Sequence, residues 1–340
     1  MKIIVIGPNY DNYKAASYQF EFMESLKSLS ESYYHYQGNA ITIKQLISLS
    51  KFKPEIIFYN HGWLSDNVTL KDLKYTKVKG LRNTDIKHVI FLNKEYVLLE
   101  EKLKEIQKFK FNLIFTHWHN LEKLNNTGIK SIFLPLAFSS RHMTKKSHKK
   151  LSERKYDLYF SGILQNWDMK EKQGDLRKKI QNELFHCLFD FPIFKKFKYR
   201  SLNIYWKPFY KNRIKNIFSN FIHGKRLNHE DYFNTLSDSR CVLHTASPIG
   251  IISTRVFEAL GSGALGLFSE DSNAQIIFEN KVHFLSFNKI DDLIDKVYQV
   301  KNSSTLSLFQ KIADKGRLCI ENEHNWKNRV LKFKEEVSKI

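Results

Sequence analysis

Between residues 241 and 268 the sequence runs CVLHTASPIGIISTRVFEALGSGALGLF, and no other stretch restricts the fold as tightly. Two short apolar runs, 241–244 and 264–268, have the length of buried strands. Between them lie a polar loop and a helical pattern that opens near Ser253, a good N-cap, and stops at Gly261 and Gly263. Strand, loop, helix, glycine and strand together make half of a nucleotide-binding crevice. A helix opening after a strand aims unpaired backbone N–H groups and the positive end of its dipole beyond the strand's carboxyl end, where anions bind. Ser253 and Thr254 offer hydroxyls in the first turn, and Arg255 offers a planar fork of donors suited to a diphosphate. Glu258 lies one turn beyond Arg255, so it can face the same crevice and accept from a ribose or sugar hydroxyl. Gly261 and Gly263 let the helix end and the backbone pack closely. An ordinary helix with a surface Arg–Glu pair would carry the same residues, and the local pattern leaves both readings open.

At 340 residues the chain exceeds the usual ceiling for one core, so two domains of about 150 residues are expected. The hydrophobic content of 42% can fill both. Three cysteines, Cys187, Cys241 and Cys319, fit neither a zinc spacing nor a disulfide framework, which points to a reducing compartment. The start, MKIIVIGPNY, is not a signal peptide, and no run of about 18 apolar residues could span a membrane. A cytoplasmic protein is expected.

From the start, an apolar run at 2–6 ends at Gly7, and a helical pattern follows to about Leu29. That is the opening of a Rossmann-like unit, but without GxGxxG, so no dinucleotide cofactor is indicated. Strand patterns recur at 54–59, 87–92, 111–115 and 130–134, with a charged helix over 94–108, and alternation of this kind means a parallel sheet. His61 follows the run at 54–59 and is a candidate general base, since an unperturbed imidazole titrates near neutrality. His117 and His119 flank Trp118 after the next run but one. No carboxylate or cysteine accompanies them in sequence, so no metal is expected there. A polar run over 139–155 reads as an interdomain linker, giving domains at 1–150 and 151–322 with a closing helix over 323–340.

The run at 255–264, RVFEALGSGA, resembles the donor-site helix of the group 1 glycosyltransferases of GT-B fold, and most closely their spore-maturation-protein-like branch, whose pattern is roughly R-x-F-E-A-x-x-x-G. Asp231, Tyr232 and Phe233, then Leu236 to Arg240, resemble the same family's preceding helix. The resemblance implies an α/β protein with two Rossmann-like domains, parallel sheets facing across a cleft, and a C-terminal helix crossing back, which His324, Asn325, Trp326 and Arg329 resemble. It implies a nucleotide sugar as co-substrate and no further cofactor. On the donor side it implies Gly162, Arg177, Gly224, Arg226, His244, Ser253, Thr254, Arg255 and Glu258; on the acceptor side Gly7, Asn9, Tyr10 and His117, with His61 and Glu258 in the chemistry. Many retaining relatives carry a second glutamate eight positions before the helix glutamate. Here that position is Gly250, which leaves retention or inversion open.

The net charge is +20, and residues 141–226 hold 22 Lys or Arg against 7 Asp or Glu, so a quarter of the chain carries most of the excess. Aromatic residues interleave with lysines over 189–215, a composition suited to anionic lipid. Two other readings of that stretch stand beside it: core aromatics with solvated lysines, and stacking on unpaired bases, although the chain carries no nucleic-acid motif and no nucleic-acid partner is expected. The expectation is a metal-independent hexosyltransferase in bacterial surface-polysaccharide or lipopolysaccharide synthesis, acting on a glycan or lipid-linked glycan at the inner face of the membrane. A sugar-nucleotide epimerase on the same fold and a non-catalytic basic surface-binding module are the alternatives.

Overall fold

The computed structural model describes residues 1–11, 18–66, 72–81, 84–139, 149–163, 176, 179–180, 185–186, 196–197, 201–209, 217, 227–302 and 304–340. The chain divides into two compact units, Met1–Ala137 with Trp326–Ile340, and Phe138–Asn325. The divisions fall at 137/138 and 325/326, where the sequence places them at 150/151 and 322/323. Among the described residues no helix is long and apolar enough to cross a membrane.

Unit 1 contains β1 (Lys2–Ile6), α1 (Tyr18–Leu29), β2 (Glu31–His35), β3 (Ile41–Thr42), α2 (Ile43–Ser50), β4 (Ile56–Tyr59), β5 (Val78–Lys79), β6 (Lys87–Leu92), α3 (Leu99–Phe109), β7 (Leu113–Thr116), α4 (Glu122–Asn125) and β8 (Ser131–Phe133). From the far end of the chain it takes the helix Trp326–Val337, labelled α9 for its place in the sequence. Six strands form one parallel sheet in the order β2-β1-β4-β6-β7-β8. β4 (IIFY) and β7 (LIFT) are buried at every position, as strands covered on both faces must be. β2 (ESYYH) escapes a pattern search because it is a half-exposed edge strand with no aliphatic residue. Thr42 and Gln45 form a reciprocal capping box that fixes the start of α2.

Unit 2 contains β9 (Tyr156–Ile163), β10 (Phe185–His186), β11 (Lys196–Phe197), β12 (Ile204–Phe209), α5 (His229–Ser237), β13 (Ser239–His244), α6 (Thr254–Gly261), β14 (Leu265–Ser269), β15 (Leu285–Phe287), α7 (Ile290–Lys301) and α8 (Leu306–Glu323). Its sheet runs β12-β9-β13-β14-β15, all parallel. β9 continues through Gly162 to Ile163. β12 lies inside the stretch that reads as a basic, aromatic surface. Its Ile204 is 7% exposed and Leu202 just before it 5%, and both belong to the unit 2 core, so this part of the stretch is sheet edge.

Candidate functional site

In unit 2 the chain goes from β9 to its neighbour β12, then returns to the other side of β9 as β13. Strand order therefore reverses between β9 and β13, and in open parallel sheets ligands bind beyond the carboxyl ends of the strands at such a point. Gly162 stands near the end of β9 and His244 closes β13. The loop after His244 leads to α6, whose N-cap Ser253 accepts from the Arg255 backbone N–H at 3.3 Å and lies 3.2 Å from His244 Nε2. In that loop Ile249 adopts φ 50°, a left-handed conformation rare for a β-branched residue, and Gly250 follows at φ 74°. Asn273 Nδ2 donates to the Gly250 carbonyl at 2.9 Å, which ties the strained turn to the segment after β14. At the other end of α6, Gly263 turns at φ 70°, and a Cβ on Gly261 would lie 2.5 Å from the Phe138 ring.

Arg255 and Glu258 are half-buried on one face of α6 beside Tyr232 of α5. The Tyr232 hydroxyl donates to Glu258 Oε2 at 2.5 Å. Burial raises the Glu258 pKa, against the pull of the Tyr232 hydrogen bond, the Arg255 charge and the Thr254 hydroxyl. Burial works against the charge on Arg255 as well, yet Tyr232, Tyr159 and Glu258 outweigh it and the guanidinium stays charged. The face thus presents one fixed cation and one hydrogen-bonded carboxyl next to a helix N-terminus.

Unit 1 holds a second cluster at the carboxyl ends of its strands. His61 follows β4 and His117 follows β7, with ring centroids 5.3 Å apart and planes 21° from parallel. Phe91 stacks on His61 at 3.9 Å, while Tyr18 and Phe22 meet it edge-on. His117 Nδ1 donates to the Leu134 carbonyl at 2.7 Å, which leaves Nε2 as the acceptor of the neutral ring. Neither ring nitrogen of His61, nor His117 Nε2, has a hydrogen-bond partner among the described residues. A buried imidazole N–H without a partner costs about 1–3 kcal/mol, so unit 1 carries this pair at a cost in stability. Beside it Tyr18 donates to Asn93 Oδ1 at 2.5 Å, and the fully buried Lys102 ammonium donates to Asp66 Oδ1 at 2.6 Å and to the Asn93 carbonyl at 2.8 Å. Glu95, also buried, accepts from Thr116 Oγ1.

Burial holds His61 well below the ordinary imidazole pKa, with His117 adding to the effect, and holds His117 down to about 3. A pKa near neutrality, expected for His61 from sequence, belongs to an exposed ring. In the unfolded chain both rings protonate near pH 6.5, whereas in the folded chain they stay neutral to much lower pH. The stability of unit 1 is therefore full above pH 6.5 or so and drains as pH falls below it, at up to about 1.4 kcal/mol per pH unit for each ring that stays neutral, for His117 down to about 3. Urea unfolding at pH 7 and pH 5 is expected to show this loss, and His61→Phe to reduce it. Equal pH sensitivity in wild type and variant would contradict the assignment.

Of the donor-side residues named from sequence, the fold brings His244, Ser253, Thr254, Arg255 and Glu258 together and sets Gly162 on the adjoining strand. Arg177, Gly224 and Arg226 lie outside the described residues, as does most of 189–215. On the acceptor side, Gly7 turns at φ 146° against Asn60, whose Oδ1 would lie 1.9 Å from a Cβ there. Tyr10 packs over Gly62, and Asn9 is exposed with its side chain accepting from the Asp11 N–H at 2.8 Å. Tyr18, Asn93, Glu95 and Lys102 escape sequence reasoning, because nothing local marks a residue whose partner lies tens of positions away. Tyr232 is visible from sequence as part of a resemblance, but its grip on Glu258 across 26 positions is not.

Residues 182–335 match the family model described as glycosyl transferase-like. No curated protein matches the sequence. In structure the chain is similar to a glycosyltransferase from Rickettsia africae, with 12% identity, 99% of this chain and 97% of that chain covered, and a TM-score of 0.62. It is similar to the Anabaena HepE protein in complex with UDP-glucose, with 10% identity over 100% of both chains and a TM-score of 0.57. It is also similar to sucrose-phosphate synthase from Thermosynechococcus elongatus, with 10% identity, 100% and 99% covered, and a TM-score of 0.59. At these identities the likeness shows the fold, which is GT-B.

Proposed function

We propose that this protein is a glycosyltransferase that binds a nucleotide sugar on unit 2 and passes the sugar to a carbohydrate hydroxyl. The observation that carries this reading is the set His244, Ser253 and Arg255 at the N-terminus of α6, beside the point where strand order reverses. The match to a glycosyl transferase-like family model and the UDP-glucose complex of a protein of the same fold support it.

In the reaction the bond between the anomeric carbon and the diphosphate breaks, and a bond from that carbon to the acceptor oxygen forms. The nucleoside diphosphate leaves with more negative charge than it had in the donor. The helix dipole and the Arg255 guanidinium oppose that charge before it develops, which lowers the barrier with no reorganisation. This supplies the balance a metal ion gives elsewhere, so the transfer is proposed to be metal-independent. Glu258, held by Tyr232 and Thr254, accepts from a ribose hydroxyl. The acceptor's proton passes to a base on the acceptor side or to the departing diphosphate. His61, which burial keeps neutral, is proposed as the base if the sugar is inverted.

A UDP-hexose is the proposed donor class, and the RVFEALGSG run favours the spore-maturation-protein-like branch. The acceptor is proposed to be a bacterial surface glycan on a lipid carrier, because basic charge concentrates over 141–226, which would set the protein against the inner face of the membrane. Incubation with UDP-glucose, UDP-galactose or UDP-N-acetylglucosamine and a panel of glycan acceptors tests the reading by mass spectrometry. Sugar added to an acceptor with stoichiometric UDP release is expected. An epimerised free sugar with no acceptor product would overturn it.

A further inference from the structure

The three cysteines are spaced for no zinc framework in sequence, yet the fold gives one of them ligands of other kinds. Cys319 and Glu323 stand one turn apart at the end of α8, and His324 is its C-cap. The Cys319 Sγ, a Glu323 carboxylate oxygen and a ring nitrogen of His324 all lie within 4.8 Å of one another. The His324 ring packs against Phe278 at 4.9 Å and Phe257 at 5.9 Å, which restricts its orientation. Its backbone is fixed as well: the carbonyl accepts from the Phe138 N–H at 2.9 Å, and Asn325 Nδ2 donates to the Glu321 carbonyl at 3.0 Å.

Charge favours a cation here. The C-terminal end of an 18-residue helix carries partial negative charge, and its last turn holds no basic residue. Cys319 and His324 are half-buried and Glu323 is exposed, which leaves a route for an ion to enter.

We propose that Cys319, Glu323 and His324 form a zinc site, with water in the fourth position. A thiolate, an imidazole and a carboxylate suit a borderline-soft ion bound at about 2.0–2.3 Å, whereas magnesium and calcium require oxygen ligands throughout. The three ligand atoms, all within 4.8 Å of one another, close onto the ion by side-chain rotation alone. Binding releases the Cys319 thiol proton to solvent as the thiolate forms its bond to the ion. The ion's role is to pin the end of α8, which packs on α6 at Gly316, where a Cβ would lie 3.1 Å from Leu260 and 2.5 Å from the His283 carbonyl oxygen. This inference stands on unit 2 geometry and not on the transferase reading.

Cobalt titrated into the reduced, chelator-treated full chain tests it. One equivalent is expected to give visible tetrahedral bands and a thiolate-to-cobalt charge-transfer band, both bleached by zinc. Cys319→Ala is expected to lose the charge-transfer band, and Glu323→Gln, at an exposed position, to weaken binding at least about tenfold, with circular dichroism checking that both variants fold. Bands that persist in Cys319→Ala, or cobalt bound by others of the thirteen histidines with no thiolate band, would overturn the proposal.

Discussion

Replacing Arg255 with alanine is expected to cut turnover of the nucleotide-sugar donor about 100- to 1000-fold, measured as UDP release under single-donor conditions. The guanidinium sits in the first turn of α6, two residues past the N-cap Ser253, and is charged beside Tyr159, Tyr232 and Glu258. Its removal takes away a fixed cation that opposes the charge of the leaving diphosphate. The loss falls mainly on the transition state, so kcat is expected to drop along with kcat/KM. Arg255→Lys keeps the charge without the planar fork and is expected to recover only part of the rate. The helix itself should survive both changes, because its buried face consists of Val256, Phe257, Ala259 and Leu260, and circular dichroism of the variants checks this. An alanine variant as active as wild type would remove Arg255 from the donor site.

Phe333→Ala is expected to destabilise unit 1 by about 3–5 kcal/mol, the range for deleting a buried aromatic ring. Phe333 is fully buried, with its ring 4.9 Å from Phe58, 4.8 Å from Phe115 and 5.6 Å from Phe22. It belongs to a stripe on α9, Trp326, Arg329, Val330, Phe333 and Val337, with the spacing of one buried helix face. Arg329 on that stripe donates from Nε to the Pro135 carbonyl at 2.8 Å, and Lys334 Nζ donates to the Leu29 carbonyl at the end of α1 at 2.6 Å. The last residues of the chain are thus part of the core of the first unit. Urea unfolding followed by tryptophan fluorescence should show an earlier transition for unit 1, with the unit 2 transition unmoved. A variant whose first transition stays in place would mean that α9 is dispensable to that core.

The contrast between these two sites shows what the chain reveals before it folds. Around α6 the determinants are local: a serine cap, a helical run and two glycines at the stop, each next to the residue it acts on. Those features are readable from 28 consecutive residues, and the helix and both flanking strands stand where the sequence implies, within one or two residues. The His61–His117 pair is different. Its members are set side by side by the order of β4, β6 and β7 in a parallel sheet, and strand order is not written in any local pattern. The Tyr232–Glu258 bond and the Lys102–Asp66 pair are hidden for the same reason. β12 is obscured by composition, since alternating aromatic and basic residues can equally line a surface or form the edge of a sheet. The basic excess of the chain is plain from sequence, but most of its dense stretch lies outside the described residues.

The most direct measurement is calorimetric titration of UDP and of uridine into wild-type protein and Arg255→Ala. If the diphosphate is held at the N-terminus of α6, UDP binds at one site per chain, uridine binds at least about 100-fold more weakly, and the alanine variant loses most of that difference. Equal affinity for UDP and uridine, no heat with UDP at millimolar concentration, or an undiminished difference in the variant would contradict it.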